Sequence, residues 1–150
     1  MTAASDPRPS DKDCLIQHAS AVAHAGRAVV ITGPSGAGKS ALALQLMALG
    51  AGLVSDDRCC LWRHGDDLFV DAPAAIRGRV EARNLGILNA EAVGPVRVAA
   101  YISLEDVETQ RLPDPRNISV LGLTLPLLHT VQAQHFAPAI LQYLKAGRWA

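Results

Sequence analysis

The sequence predicts an α/β fold: a P-loop-containing single domain with a mixed, strand-rich central sheet. Three observations predict it. Residues Gly33-Pro34-Ser35-Gly36-Ala37-Gly38-Lys39-Ser40 spell Gly-x-x-x-x-Gly-Lys-Ser, between the apolar run Ala28-Val29-Val30-Ile31 and the helix-forming run Ala41-Leu42-Ala43-Leu44-Gln45-Leu46-Met47. Strand-like segments outnumber helical ones, whereas a regular doubly wound nucleotide fold alternates strand and helix throughout. The chain has 150 residues, the size of one domain with one substantial core.

Taken in order, residues 1–12 are polar, contain Pro7 and Pro9, and predict a flexible arm ahead of a domain over 13–150. Cys14 to Val22 predicts a first strand with His18 in its middle, and His24 to Gly26 a turn. Arg27 to Thr32 is a second strand that delivers the loop. The helix runs from about Lys39 to Leu49, with Gly50 where a helix commonly ends. Gly52-Leu53-Val54-Ser55 predicts a short strand ending in Asp56-Asp57. Cys59 to Trp62 and Leu68 to Val70 read as strands joined by the hairpin turn His64-Gly65-Asp66-Asp67. Val80 to Leu88 holds another strand, followed by a helical or loop stretch. Val96 to Leu104 reads as a buried strand, and Leu112-Pro113-Asp114-Pro115 as a rigid loop. Ser119 to Leu127 carries strand signal broken by Gly122. Pro138 opens a last amphipathic helix with Ile140, Leu141 and Leu144 on one face.

Composition narrows the class. Lys+Arg and Asp+Glu both number 14, so the net charge is zero, and nothing global points to nucleic acid or an anionic membrane surface. The N-terminus has no apolar signal core, and no apolar run reaches the ~18 residues of a membrane span. The three cysteines, Cys14 and the adjacent Cys59-Cys60, lack Cys-x-x-Cys spacing. They read as small buried residues in a reducing compartment rather than a disulfide framework or a zinc site, and the missing signal core and membrane span predict a cytoplasmic protein.

The loop carries the first chemistry. Its glycines let backbone N–H groups turn inward around phosphates, Lys39 reaches the β- and γ-phosphates, and the Ser40 hydroxyl ligates Mg²⁺. The helix that follows points its positive end at the anion. Asp56-Asp57 ends the next strand, where an acidic group meets Mg²⁺ or a substrate hydroxyl; a turn-starting acidic pair would read the same way. His18 reaches the same cleft only if its strand neighbours the loop-bearing one; otherwise it is a core histidine. Glu81 and Arg83 share one side of a strand, as a metal-holding carboxylate with a phosphate-meeting arginine or as a solvated face. Arg111 precedes the proline-stiffened loop, where an arginine stabilises a transferring phosphoryl group or simply stays on the surface. His64, His129 and His135 share no ligand spacing, and Trp62 and Trp149 read as packing anchors rather than base-stacking residues.

These pieces together resemble the C-terminal catalytic domain of HPr kinase/phosphorylase, over roughly residues 14 to 145. The matching features are His18 upstream of the loop, the loop itself, Val54-Ser55-Asp56-Asp57, and Glu81 through Ile87 against a Glu-x-Arg-Gly-Leu-Gly-Ile signature. Arg111 ahead of Leu121-Gly122-Leu123-Thr124-Leu125-Pro126 completes the set. The resemblance implies a fold akin to HPr kinase and phosphoenolpyruvate carboxykinase, and the short form that lacks the family's N-terminal domain. It implies ATP as phosphoryl donor with Mg²⁺, and a serine of HPr or an HPr-like phosphocarrier of the sugar phosphotransferase system as acceptor. It also implies a cytoplasmic homo-oligomer, a hexamer in the family. By the same resemblance His18 is the active-site histidine, Lys39 binds phosphate, and Ser40 with Glu81 holds Mg²⁺. Asp57 accepts the serine proton with Asp56 beside it, and Arg111 is the active-site arginine. The chain departs from the family at Ala41, where an acidic residue often follows the loop serine, and at Asn84, which replaces a signature glycine. Leu127 to Gln132 also lacks the basic Gly-Arg-Asn stretch linked to the reverse, phosphorylase reaction. A small-molecule P-loop kinase, a phosphoenolpyruvate-carboxykinase-like enzyme and a non-catalytic nucleotide sensor stay open as alternatives.

Overall fold

A computed structural model describes residues 8–150. The loop-bearing strand, β3 (Arg27–Thr32), is apolar on both faces because both faces are covered. Val29 and Ile31 face a layer of two helices, α1 (Lys39–Ala48) and α2 (Phe136–Ala146), while Ala28 and Val30 face a second core formed by strands alone. The remaining strands of the main sheet are β1 (Leu15–Gln17), β2 (Ala19–His24), β4 (Gly52–Ser55), β5 (Cys59–His64) and β6 (Asp67–Asp71). After a separate hairpin of β7 (Arg79–Ala82) and β8 (Gly86–Asn89) come β9 (Val96–Val107), β10 (Asn117–Val120) and β11 (Leu123–Thr130). The sheet order is β1-β5-β6-β9-β3-β2-β4, with β11 parallel to β9 and paired to β10.

One feature of this order positions the site. β2 lies between β3 and β4 and runs antiparallel to both, so β3 and β4 are parallel to each other. The C-terminal ends of β3 and β4 and the N-terminal end of β2 therefore share one edge of the sheet. His18, the phosphate loop and Asp56-Asp57 arrive there together, which meets the condition on which the functional reading of His18 depended. β9 runs parallel to β3 along the same edge, with an irregularity between Ala28 and Val29. That shift moves Val96 and Val98 into the strand-only core and Ala100 and Ile102 against the helices.

Packing follows from spacing. On α1, Leu42, Ala43 and Leu46 are buried, and on α2, Ala137, Ile140, Leu141 and Leu144, each set one turn apart on a single face. Gly50 has φ +113 past the end of α1 and donates its N–H to Met47 O at 3.0 Å, the left-handed stop expected of it.

Four expectations are corrected. The strand over Cys14 to Val22 is two strands, because β1 pairs with β5 while β2 pairs with β3 and β4, and His18 sits at the change of partner. Val80 to Leu88 is a hairpin, not one strand: Arg83-Asn84-Leu85 turns the chain, and Leu85 donates its N–H to Ala82 O at 2.9 Å. Cys14 and Cys60 form a disulfide. The β1–β5 register brings their Cα atoms to 5.5 Å across a sequence separation of 46, so the pairing depends on strand order and not on local spacing. Cys59 is free and buried, and burial with Asp56 nearby pushes its thiol well above the usual range. The reducing setting inferred from unpaired cysteines thus loses its basis; among the described residues no helix is long and apolar enough to cross a membrane. The predicted arm falls partly outside the described residues. Its described part is held down: Arg8 donates to Ala72 O at 2.9 Å, pairs with Asp71 at 2.9 Å and lies over the Trp62 ring, and Asp11 accepts the Ala74 N–H at 3.0 Å. Trp62 in turn stacks on Phe69, as a packing anchor should.

Leu46 is fully buried and joins α1 to β2 and β3. Leu46→Ala is expected to lower unfolding free energy by about 2–5 kcal/mol in denaturant titrations, through lost burial and the cavity left behind.

Candidate active site

The loop leaves β3 at Gly33 and closes onto α1 through Gly36 and Gly38, at φ +83 and +101, conformations open mainly to glycine. Gly38 is the N-cap of α1 and supplies no side-chain cap, and the first turn of the helix holds no acidic residue. Ala41 contributes to that: where a carboxylate would offset the helix's positive end, a methyl leaves it available to an anion. Lys39 is 7% exposed and donates from Nζ to Gly33 O at 2.7 Å and Pro34 O at 3.1 Å, folded over the loop. A cleft of about 340 Å³ opens on the loop, lined by its residues and by His18, Asp57, Glu81 and Arg83.

The two aspartates do different things. Asp56 is 5% exposed. Its Oδ1 accepts from the hydroxyls of Ser20 and Ser40, both at 2.7 Å, and its Oδ2 accepts the Glu81 N–H at 2.9 Å. One carboxylate thus ties together β2, the loop helix and the β7–β8 hairpin. Asp57 turns the other way. Its backbone is left-handed, at φ +71, and its exposed carboxylate Oδ1 lies 3.0 Å from His18 Nε2 at the mouth of the cleft. So exposed a contact adds little to stability. What it does is hold a carboxylate oriented beside the phosphate loop. Next to His18 in the chain, Gln17 accepts the hydroxyl of the buried Tyr101 at its Oε1, at 2.7 Å.

Among the predicted residues, the structure brings together Gly33 to Ser40, His18, Asp56, Asp57 and Glu81. The carboxylate on the Ser40 hydroxyl is that of Asp56; Glu81 lines the cleft and meets Asp56 through its backbone. Arg111 does not join them. β9 continues past the loop to Val107, and Arg111 is exposed on the segment that follows, outside the cleft. Glu108 closes the base of that segment. It accepts from Arg116 at 3.1 and 3.2 Å and from the N–H groups of Thr109 and Gln110, and the Arg116 guanidinium first and these amides next hold its carboxyl at about 2. Sequence reasoning passed over Ser20, whose hydroxyl contacts Asp56 directly; its place two residues after His18 on a strand beside β3 was the available signal. Asn84 resolves its own departure: at φ +67 it takes the left-handed turn that glycine would otherwise take, a conformation asparagine tolerates.

No group of three or more His, Cys, Asp or Glu among the described residues could hold a metal by itself. Mg²⁺ keeps waters and takes one or two protein oxygens plus those of a phosphate substrate. Ser40 and Asp56 put two oxygens of that kind side by side at the loop, 2.7 Å apart.

Strand, phosphate loop, helix and an acidic strand end on one edge of a mixed sheet define a P-loop α/β domain. The family model described as HPr Serine kinase C-terminal domain matches residues 13–110, and the chain belongs to that family. It is 37% identical over 113 residues to the HPr kinase/phosphorylase of Burkholderia cenocepacia (strain HI2424), and equally to that of Paraburkholderia phymatum. Those matches cover 67% of this chain and 35% of each relative, so the chain spans about a third of the relatives' length. The solved structure of the Hpr(Ser) kinase/phosphatase from Coxiella burnetii shares the fold, with TM-score 0.71 over 87% of this chain and 93% of that one, at 24% identity.

Two outcomes are expected. Asn84→Gly keeps the melting temperature of the parent, while Asn84→Val, β-branched in a left-handed turn, lowers stability by about 1–3 kcal/mol in thermal unfolding. Glu108 is depressed from 4.5 to about 2, so its contribution is complete above 4.5 and fades as pH falls toward 2. Calorimetry should find wild type melting above Glu108→Gln at neutral pH, the gap closing across that acid window.

Proposed function

We propose that this domain is an ATP- and Mg²⁺-dependent serine kinase acting on HPr or an HPr-like phosphocarrier. The observation that carries the reading is Asp57: a carboxylate turned outward by its left-handed backbone, 3.0 Å from His18, at the mouth of a cleft floored by the phosphate loop. A domain that only sensed nucleotide has no use for an oriented base beside the γ-phosphate position. Family membership and the names of the Burkholderia and Paraburkholderia relatives support the acceptor.

In this reading Lys39 gives up its loop carbonyls for phosphate oxygens, and the amides at the start of α1 hold the rest of the triphosphate. Mg²⁺ supplies neutralisation of phosphate charge, with Ser40 and Asp56 as its protein contacts. The acceptor serine oxygen bonds to the γ-phosphorus as the bond to the β-phosphate oxygen breaks; ADP leaves, and the serine proton passes to Asp57. His18 orients that carboxylate, and Arg83 on the cleft wall meets phosphate. Arg111 is left without a role, and the reverse, phosphorylase reaction is not part of the proposal.

Incubation with labelled ATP and the organism's own HPr, followed by mapping of the modified residue, tests the reading. One labelled serine is expected, with Asp57→Asn lowering kcat by about 10²–10⁴ while nucleotide affinity stays near wild type. Absence of serine labelling by folded protein, or full activity in Asp57→Asn, would sink it.

A further inference from the structure

We propose that Ser20 is a positioning residue that sets both aspartates of the site at once. It is fully buried on β2, between Ile31 of β3 and the end of β4, and nothing in the loop or the acidic pair announces it. Its single hydroxyl proton is donated to Asp56 Oδ1 at 2.7 Å, and its oxygen accepts the Asp57 N–H at 3.3 Å. Neighbouring Ala19 donates its N–H to Asp57 O at 3.1 Å. Two consecutive residues of β2 therefore grip both polar groups of the Asp57 backbone, whose φ of +71 is unusual for a residue with a side chain.

The two bonds act on the two halves of the site. Asp56 Oδ1 sits between the hydroxyls of Ser20 and Ser40, so Ser20 fixes the direction from which that carboxylate meets Ser40. The bond to the Asp57 N–H holds the backbone from which that residue's carboxylate reaches His18. Because Ser20 is the first β2 hydroxyl inward from His18, any sideways shift of β2 against β4 would move metal contact and proton acceptor together. A hydroxyl suits this position because it donates and accepts simultaneously. An alanine does neither, and would leave the part-buried Asp57 amide without this partner beside a buried carboxylate short of one donor.

The inference rests on the cleft being a Mg²⁺–nucleotide site, and its test separates the two. ATP affinity is measured by titration calorimetry with and without Mg²⁺, and hydrogen exchange of the Asp57 amide is followed by NMR, for wild type, Ser20→Ala and Ser20→Thr. Ser20→Ala is expected to lose about tenfold of the affinity that Mg²⁺ confers, keep its Mg²⁺-free affinity within about twofold, and exchange Asp57 about tenfold faster. Its kcat for the protein acceptor should fall by a similar factor at unchanged acceptor KM. Ser20→Thr, which retains the hydroxyl, should recover most of each effect. A folded Ser20→Ala protein with wild-type Mg²⁺ dependence and wild-type Asp57 exchange overturns the inference, as does threonine behaving like alanine. If wild type binds ATP no better with Mg²⁺, the metal reading of the cleft fails, and Asp57 exchange alone decides whether Ser20 positions that residue.

Discussion

The carboxylate of Asp56 is where the parts of this domain are joined. It is buried and charged, a costly combination unless hydrogen bonds replace lost water. Three donors replace it: the Ser20 and Ser40 hydroxyls and the Glu81 amide. Each comes from a different element, so satisfying one buried charge forces β2, α1 and the β7–β8 hairpin into a single arrangement. The hairpin shares no backbone ladder with the main sheet, and this contact helps keep Glu81 and Arg83 on the wall of the cleft.

Charge is distributed unevenly between the rigid and the exposed parts. Asp56 and Lys39 are buried and internally bonded, whereas His18 and Asp57 are more than half exposed. The buried pair shapes the phosphate cradle; the exposed pair stands where a second macromolecule can approach. The disulfide adds a restraint on the same region, since Cys14 joins to β5 just ahead of the strand that leads to His18.

Much of the site was legible because its chemistry is local. Gly36 and Gly38 take the positive φ values their spacing demands, and Lys39 follows them onto a helix whose first turn is free of carboxylates. Asp56 and Asp57 end a strand whose four residues were readable as written. Their separate duties were not readable. Adjacent aspartates look equivalent until a left-handed backbone at Asp57 turns one inward and the other outward. Asn84 stands where the resemblance has a glycine, and asparagine adopts the left-handed conformation at φ +67 there. Arg111 matched a pattern along the chain, but it lies on the segment after β9 and is not among the residues that line the cleft.

By itself the sequence determined the strand–loop–helix unit, the apolar faces of α1 and α2, and the residue types a phosphate cradle needs, because each depends on neighbours within a few positions. Only the tertiary structure decided which strands adjoin. Placing β2 antiparallel between β3 and β4 brings His18, Ser20, Ser40, Asp56 and Asp57 to one edge, and pairing β1 with β5 makes a disulfide of two cysteines that looked unrelated. Strand order is set by how buried faces and hydrogen-bond edges fit over the whole sheet, a sum over distant residues that no local spacing encodes.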